Sequence, residues 1–415
     1  MNSIKYKLYF KYLFFAPLFL YFTINKEFIG LRLIINPLLH NILLSGIIYY
    51  LFLRLVIKNL KKYKGTLKSY YNNRVYKILI IVWAFYIISY GFLTNNYSIA
   101  FKYFMYLLIF VLMINYDNLS EIGLLGKYFN VLCFSLCLMI MFQYMVWLID
   151  KDIILNGPVI QRMHDYIYRT DATYKSPFFL GLLRIPEGIV NYGNFTFVRH
   201  LSYTTEPKYA SCLFLVLLIS ILINKKNDIY YKPMIFITLA TLFLVHSYSG
   251  FAVIIITGIL YYLRRFFNIG YVQIILIFFL GNTISLIIIN FVLDYFFNIP
   301  DFIYNRIYSH ESMWFEGSKS IFSFQVFLGT ARHGILGRLF EWINFSIFIY
   351  FSDKYFLKKN KNIYYDIAVL LAISCYYVYW ITILTEIITP LLLFMVCTIF
   401  YLSSREKNYI HPNLT

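Results

Sequence analysis

The chain has 415 residues, with 37 Lys and Arg against 19 Asp and Glu for a formal net charge of +18; 60% of it is apolar and only 13% is charged. Soluble domains run nearer roughly 45–50% apolar and 25% charged, and the mean hydropathy of +0.66 comes from apolar runs that recur from residue 8 to residue 403. This excludes a single soluble core and, with no soluble basic domain to carry the charge, leaves no nucleic-acid partner to expect; the expected class is an all-α polytopic membrane protein.

With about 1.5 Å of rise per residue across a hydrocarbon layer near 30 Å, the apolar runs predict about twelve transmembrane helices. In chain order these are 8–24, 38–57, 78–93, 98–114 and 128–149, then 209–223, 233–246, 249–263 and 271–293, and finally 340–353, 364–383 and 387–403. The first run follows Lys5, Lys7 and Lys11 without a small-residue cleavage pattern and reads as a retained helix. The two runs meeting near 247–250 read either as two spans or as one hairpin dipping from a single face. The chain then divides into an N-terminal bundle over 1–149, a large extracytoplasmic loop over 150–208 and central helices over 209–293. A second extracytoplasmic loop covers 294–339, and C-terminal helices with a cytoplasmic tail cover 340–415.

Basic residues orient these helices. With both termini in the cytoplasm, the inner side holds Lys58, Lys61, Lys62, Lys64, Lys68, Arg74 and Lys77, then Lys225, Lys226 and Lys232, then Arg264 and Arg265, then Lys354, Lys358, Lys359 and Lys361. The short outer loops 94–97, 247–248 and 384–386 carry no Lys or Arg, which is the bias of a positive inside. Lys dominates the inner loops, whereas Arg162, Arg169, Arg184, Arg199, Arg306, Arg332 and Arg338 dominate the two long outer segments. A guanidinium matches phosphate bidentately and keeps its charge when partly desolvated, so an Arg-rich outer face points to a phosphate-bearing partner. His164, His200, His310 and His333 share those segments and His246 ends a helix at the same face, which makes this the face where chemistry is expected.

Several chemistries find no support. Cys133, Cys137, Cys212, Cys375 and Cys397 all lie in apolar runs at no metal-like spacing, and they read as small buried hydrophobes rather than as disulfide partners or zinc ligands. No Gly-rich loop ends in Lys-Ser or Lys-Thr and no Gly-x-Gly-x-x-Gly opens a helix, so no nucleotide cofactor is expected; with no metal-like Cys spacing either, neither a cofactor nor a metal is expected. Asp150-Lys151-Asp152 reads as a solvated pair at a helix end, and no internal repeat supports an inverted-repeat transporter.

The most informative stretch is Arg199-His200-Leu201-Ser202-Tyr203-Thr204-Thr205-Glu206-Pro207-Lys208-Tyr209-Ala210, which leads into a helix. Pro207 suits a first helical position and Glu206 lies at the positive end of the helix dipole, so the plain reading is a helix start. The same position beside Arg199 suits a general base, since burial raises a carboxyl pKa while the Arg and backbone N–H groups favour its ionised form.

Here the sequence resembles bacterial O-antigen and capsular polysaccharide polymerases of the Wzy type. These often carry an Arg, a small residue three positions on, and Glu-Pro four positions later, followed by small residues. Arg199, Ser202, Glu206, Pro207 and Ala210 stand at those positions, with Ser202 where the family more often has Gly. His246-Ser247-Tyr248-Ser249-Gly250 is similar to the Ser- and Gly-containing turn that these enzymes place between two helices, and Gly250 itself reads as part of a tight polar turn. Arg332-His333-Gly334-Ile335-Leu336-Gly337-Arg338 is similar to the loop His near a helix entrance in related O-antigen ligases, and Arg184-Ile185-Pro186-Glu187-Gly188 to the Arg-to-Gly spacings of polymerase loops.

The resemblance implies an inner-membrane glycosyltransferase that polymerises undecaprenyl-diphosphate-linked repeat units at the periplasmic face, with membrane lipids and a separate chain-length regulator as further partners. It would move the growing glycan from one diphosphate to the non-reducing end of an incoming unit. Arg199 would stabilise the departing diphosphate, with Arg184, Arg332 and Arg338 behind it. Glu206 would take the acceptor proton, with His200 and His333 next. Ser202, Tyr203, Ser249 and His246 would support the site. An O-antigen ligase is the alternative enzyme, and a lipid-linked oligosaccharide flippase the alternative from another class. A flippase should carry ionisable residues deep in its spans, where Lys102 is the main mid-span charge.

Overall fold

Apolar runs long enough to bury a face become helices wherever the computed structural model describes them. It describes residues 119–155, 159–160, 173–175, 183–185, 189–192, 195–200, 207–223, 231–288 and 363–382, with isolated positions between 46 and 104. The described residues are mostly helical. The expected helices 8–24, 340–353 and 387–403 lie outside them. Those at 38–57, 78–93 and 98–114 are represented by single residues, among them Leu53, Phe85, Ile87 and Phe101, all helical.

The first continuous helix, α1 (Leu119–Ile149), begins nine residues before its expected start and ends where expected. A short α2 (Lys151–Leu155) follows at once. Asp150 caps it, its Oδ1 accepting the Asp152 N–H at 2.9 Å, so the Asp-Lys-Asp run is a helix start. After the short strands of the stretch between α2 and residue 200 come α3 (Pro207–Ile223) and α4 (Tyr231–Val245). Then come α5 (Tyr248–Phe267), α6 (Tyr271–Ile288) and α7 (Ile363–Thr382). Pro207 opens α3, where its missing N–H costs nothing. Of these, α5 is long and apolar enough to cross a bilayer, while stretches of α1, α3, α4 and α7 are shorter apolar helices.

The segment expected only as a loop carries five short strands. β1 (Val159–Ile160), β2 (Thr173–Lys175) and β3 (Leu183–Ile185) form an antiparallel sheet in that order, and β4 (Ile189–Tyr192) pairs with β5 (Phe195–Val198). In the first sheet Val159 faces Lys175 and Thr173 faces Ile185. In the hairpin Tyr192 faces Phe195, so only Gly193-Asn194 separates the strands, a pair suited to a tight reversal. Strands of two to four residues leave too little alternation to read from sequence.

The chain divides into two compact units, Met1–Ile57 with Leu119–Ile255, and Lys58–Asn118 with Ile256–Thr415. In the first, α1, α3 and α4 pack on one another. Asn130 of α1 donates to Ser220 Oγ of α3 at 2.7 Å, and α3 is buried on nearly every side from Ala210 to Leu222. Cys133, Cys137 and Cys212 are free and buried in this unit, as is Cys375 in the other; Cys397 lies outside the described residues. In the second unit, Leu260, Tyr271, Ile274, Ile275, Leu370 and Ile373 share a core, with Phe278 stacked on Tyr377 at 4.2 Å. Arg264, in the last turn of α5, pairs with Asp366 at 2.8 Å, donates to the Ile269 carbonyl at 2.9 Å and lies 3.7 Å over the Tyr271 ring. The Tyr271 hydroxyl donates to the same carboxylate.

Candidate functional site

One end of the first unit, where α1 and α4 finish and α5 begins, brings together several of the candidate residues. β5 brings Arg199 and His200 there. Side chains along an extended chain alternate in direction, and the contacts follow that period. Val198 packs with Trp147 of α1 and His200 meets Gln143 of α1. On the alternate positions, Phe197 lies 5.3 Å from the His246 ring and Arg199 Cζ lies 5.4 Å over the Tyr248 ring. The stretch leaving β5 thus runs between α1, which Phe197 also meets through the Tyr144 ring at 6.4 Å, and the α4–α5 connection.

That connection is sharply bent. His246 has a positive φ of 48°, a conformation that Gly or Asn adopts more readily than His, and its N–H donates to the Phe243 carbonyl at 3.0 Å. Ser247 caps α5, its Oγ accepting the Gly250 N–H at 3.4 Å. Gly250 is not a turn residue: it sits in the first turn of α5, and a Cβ there would come within 2.9 Å of Ser211 Cβ on α3. The glycine is needed because two helices approach closely, which a sequence reading of the turn alone does not show.

His200 is 0% exposed and Gln143 is 1% exposed. Gln143 Oε1 lies 3.2 Å from His200 Nδ1, the His200 backbone N–H donates to the Leu244 carbonyl at 3.5 Å, and the Tyr144 ring meets the imidazole edge-on at 6.0 Å. Burial lowers the His200 pKa to about 4, so the ring is neutral near pH 7. Burial, and then the Arg199 charge, lower that of His246 as well. Three polar nitrogens are buried here without a hydrogen-bond partner among the described residues: Gln143 Nε2, His200 Nε2 and Arg199 Nε.

Of the residues singled out from sequence, Arg199, His200 and His246 come together at this end, and Ser249 lies in the first turn of α5. Arg184 lies in β3, opposite Tyr174 of β2. Glu206, Ser202, Tyr203, His333, Arg332 and Arg338 lie outside the described residues. Gln143 and Tyr248 were not anticipated. A lone Gln in an apolar run gives no periodic signal, and its partner is 57 residues away. Among the described residues, no three His, Cys, Asp or Glu side chains gather as a metal site. No family model, curated protein or solved structure matches the chain.

Proposed function

We propose that the chain is an integral membrane glycosyltransferase of the Wzy-like kind, acting at the outer face of a bacterial inner membrane on undecaprenyl-diphosphate-linked repeat units. The observation that carries this reading is Arg199: it is partly buried against Tyr248 beside the start of α5, seven residues before Glu206 and eight before the first residue of α3. A guanidinium held there stabilises a departing diphosphate more than the intact donor, since charge grows as the glycosidic bond breaks. Glu206 takes the acceptor hydroxyl proton as that oxygen attacks the anomeric carbon, and the diphosphate leaves with the bonding pair.

A lipid setting is supported by where the apolar and polar side chains lie. Phe142 and Met145 of α1, Phe236 and Phe243 of α4, and Ile255, Ile259, Tyr262 and Phe266 of α5 are exposed, whereas Ser211, Ser220, Thr238 and Thr241 are buried. Thr238 and Thr241 satisfy their hydroxyls on the carbonyls four residues back, as side chains without water must.

The test is the surface-polysaccharide profile of a deletion strain complemented with wild type, Glu206→Gln or Arg199→Ala. Core bearing a single repeat unit in the deletion strain, a restored ladder with wild type, and none with either variant at normal protein level are expected. Loss of all repeats from the core points instead to ligation or flipping, and accumulated lipid-linked polymer then separates ligation from flipping.

A further inference from the structure

The segment leaving β5 presents Arg199 to the α5 start only while its backbone orientation is held, and His200 is the residue beside Arg199 that is tied on both sides. We propose that Gln143 and His200 form a positioning pair for Arg199, with the Gln143 Oε1 to His200 Nδ1 contact fixing the strand and the Nε2 side making no required contact with substrate. The inference rests on the reading of Arg199 as the phosphate-facing group.

Successive residues of an extended segment point to opposite sides. Val198 and His200 are held by α1 through Trp147 and Gln143, and Arg199 between them lies over the Tyr248 ring. A Gln carbonyl oxygen only accepts, so the imidazole proton resides on Nδ1 and the ring is a donor toward α1. The second tie runs to α4, whose Leu244 carbonyl accepts the His200 N–H. Two helices therefore clamp the residue next to Arg199. A ring that is 0% exposed and uncharged near neutrality is poorly suited to exchange protons with a substrate, which separates this role from that of a general base.

Asn and Gln replacements divide the two ring nitrogens, because an Asn amide reaches about as far as Nδ1 and a Gln amide about as far as Nε2. The full chain in nanodiscs is treated with phenylglyoxal and the modification rate of Arg199 is followed by peptide mass spectrometry, alongside the glycan ladder of the complemented strain. His200→Asn is expected to keep both the wild-type rate and the ladder. His200→Gln and Gln143→Leu are expected to shift the rate about fivefold, the ratio equivalent to one ordinary net hydrogen bond, and to shorten or abolish the ladder.

Equal Arg199 reactivity in all four proteins overturns the proposal, and so does a ladder retained by His200→Gln and lost in His200→Asn. If wild type restores no ladder while the reactivity pattern holds, the polymerase reading falls and the positioning role stands. Where the variants do not fold, 15N shifts of the wild-type imidazole decide: a proton on Nδ1 is expected, and one on Nε2 overturns the assignment.

Discussion

His200 couples the site to pH through its burial. In the unfolded chain its pKa is 6.5, and in the folded protein about 4. Between those values the unfolded state binds more protons than the folded one, so stability rises with pH across this window. The contribution is fully present above pH 6.5 and is lost as the pH falls toward 4, an order of about 3 kcal/mol for a shift of this size. His246 acts with the same sign. The expected outcome is a Tm of the detergent-solubilised protein that falls steadily from pH 7 to pH 4.5, with a shallower fall in His200→Asn. Parallel curves for the two proteins would show that His200 already carries its proton in the fold. The sequence marks His200 as a candidate because it follows Arg199 in a polar stretch. Its role is not legible there, because burial and the Gln143 contact arise only when α1 and β5 meet.

Helix contacts set the next scale. A methyl group added at Gly250 would meet Ser211 Cβ at 2.9 Å and its Oγ at 3.3 Å. Both positions are near helix starts, so relief requires moving backbone. Gly250→Ala is expected to destabilise by about 1–3 kcal/mol, as overpacking of a close contact does. Adding Ser211→Gly should recover part of that loss in a double-mutant cycle; no recovery would place the strain elsewhere. At the far end of α5, Arg264 combines a close cation–π contact over the Tyr271 ring with bonds to Asp366 and the Ile269 carbonyl. Both side chains of the ion pair are about a quarter exposed, so the charge alone is worth about 1 kcal/mol or less. Arg264→Lys keeps that charge and loses the planar guanidinium over the ring and its fork. It is therefore expected to lower the Tm nearly as much as Asp366→Asn does, and a wild-type Tm for Arg264→Lys would refute the guanidinium contact as the source of stability. At this scale the sequence reads well where apolar runs end in strong signals. Pro207 and Lys225-Lys226 bracket α3 closely, whereas Gly123, Gly126 and Lys127 interrupt the apolar pattern of α1 and hide its first turns. The strands are missed for a different reason. Their pairing is non-local, so no residue near β2 announces β1 or β3.

For the whole molecule, the question is which end of α5 meets the outside. Its 20 residues rise about 30 Å, enough for one crossing. Its start adjoins His246, Ser247 and Arg199, and its last turn holds Arg264 and Arg265. Two adjacent arginines are strongly retained on the cytoplasmic side of a short loop, so the Arg199 end faces out if α5 spans. Ser249→Cys and Gly270→Cys probe the two ends. Gly270 tolerates a side chain, since the nearest atom to an added Cβ is Gln273 Oε1 at 3.6 Å, and the four described native cysteines are buried and unreactive by position. An impermeant maleimide applied to intact spheroplasts is expected to label Ser249→Cys at once and Gly270→Cys only after lysis. Labelling of both from outside would make α5 part of a hairpin that dips and returns. Labelling of Gly270→Cys alone would invert the topology and put Arg199 in the cytoplasm. There an exported lipid-linked glycan cannot reach it, and the polymerase reading would fall with the orientation rather than with any single residue.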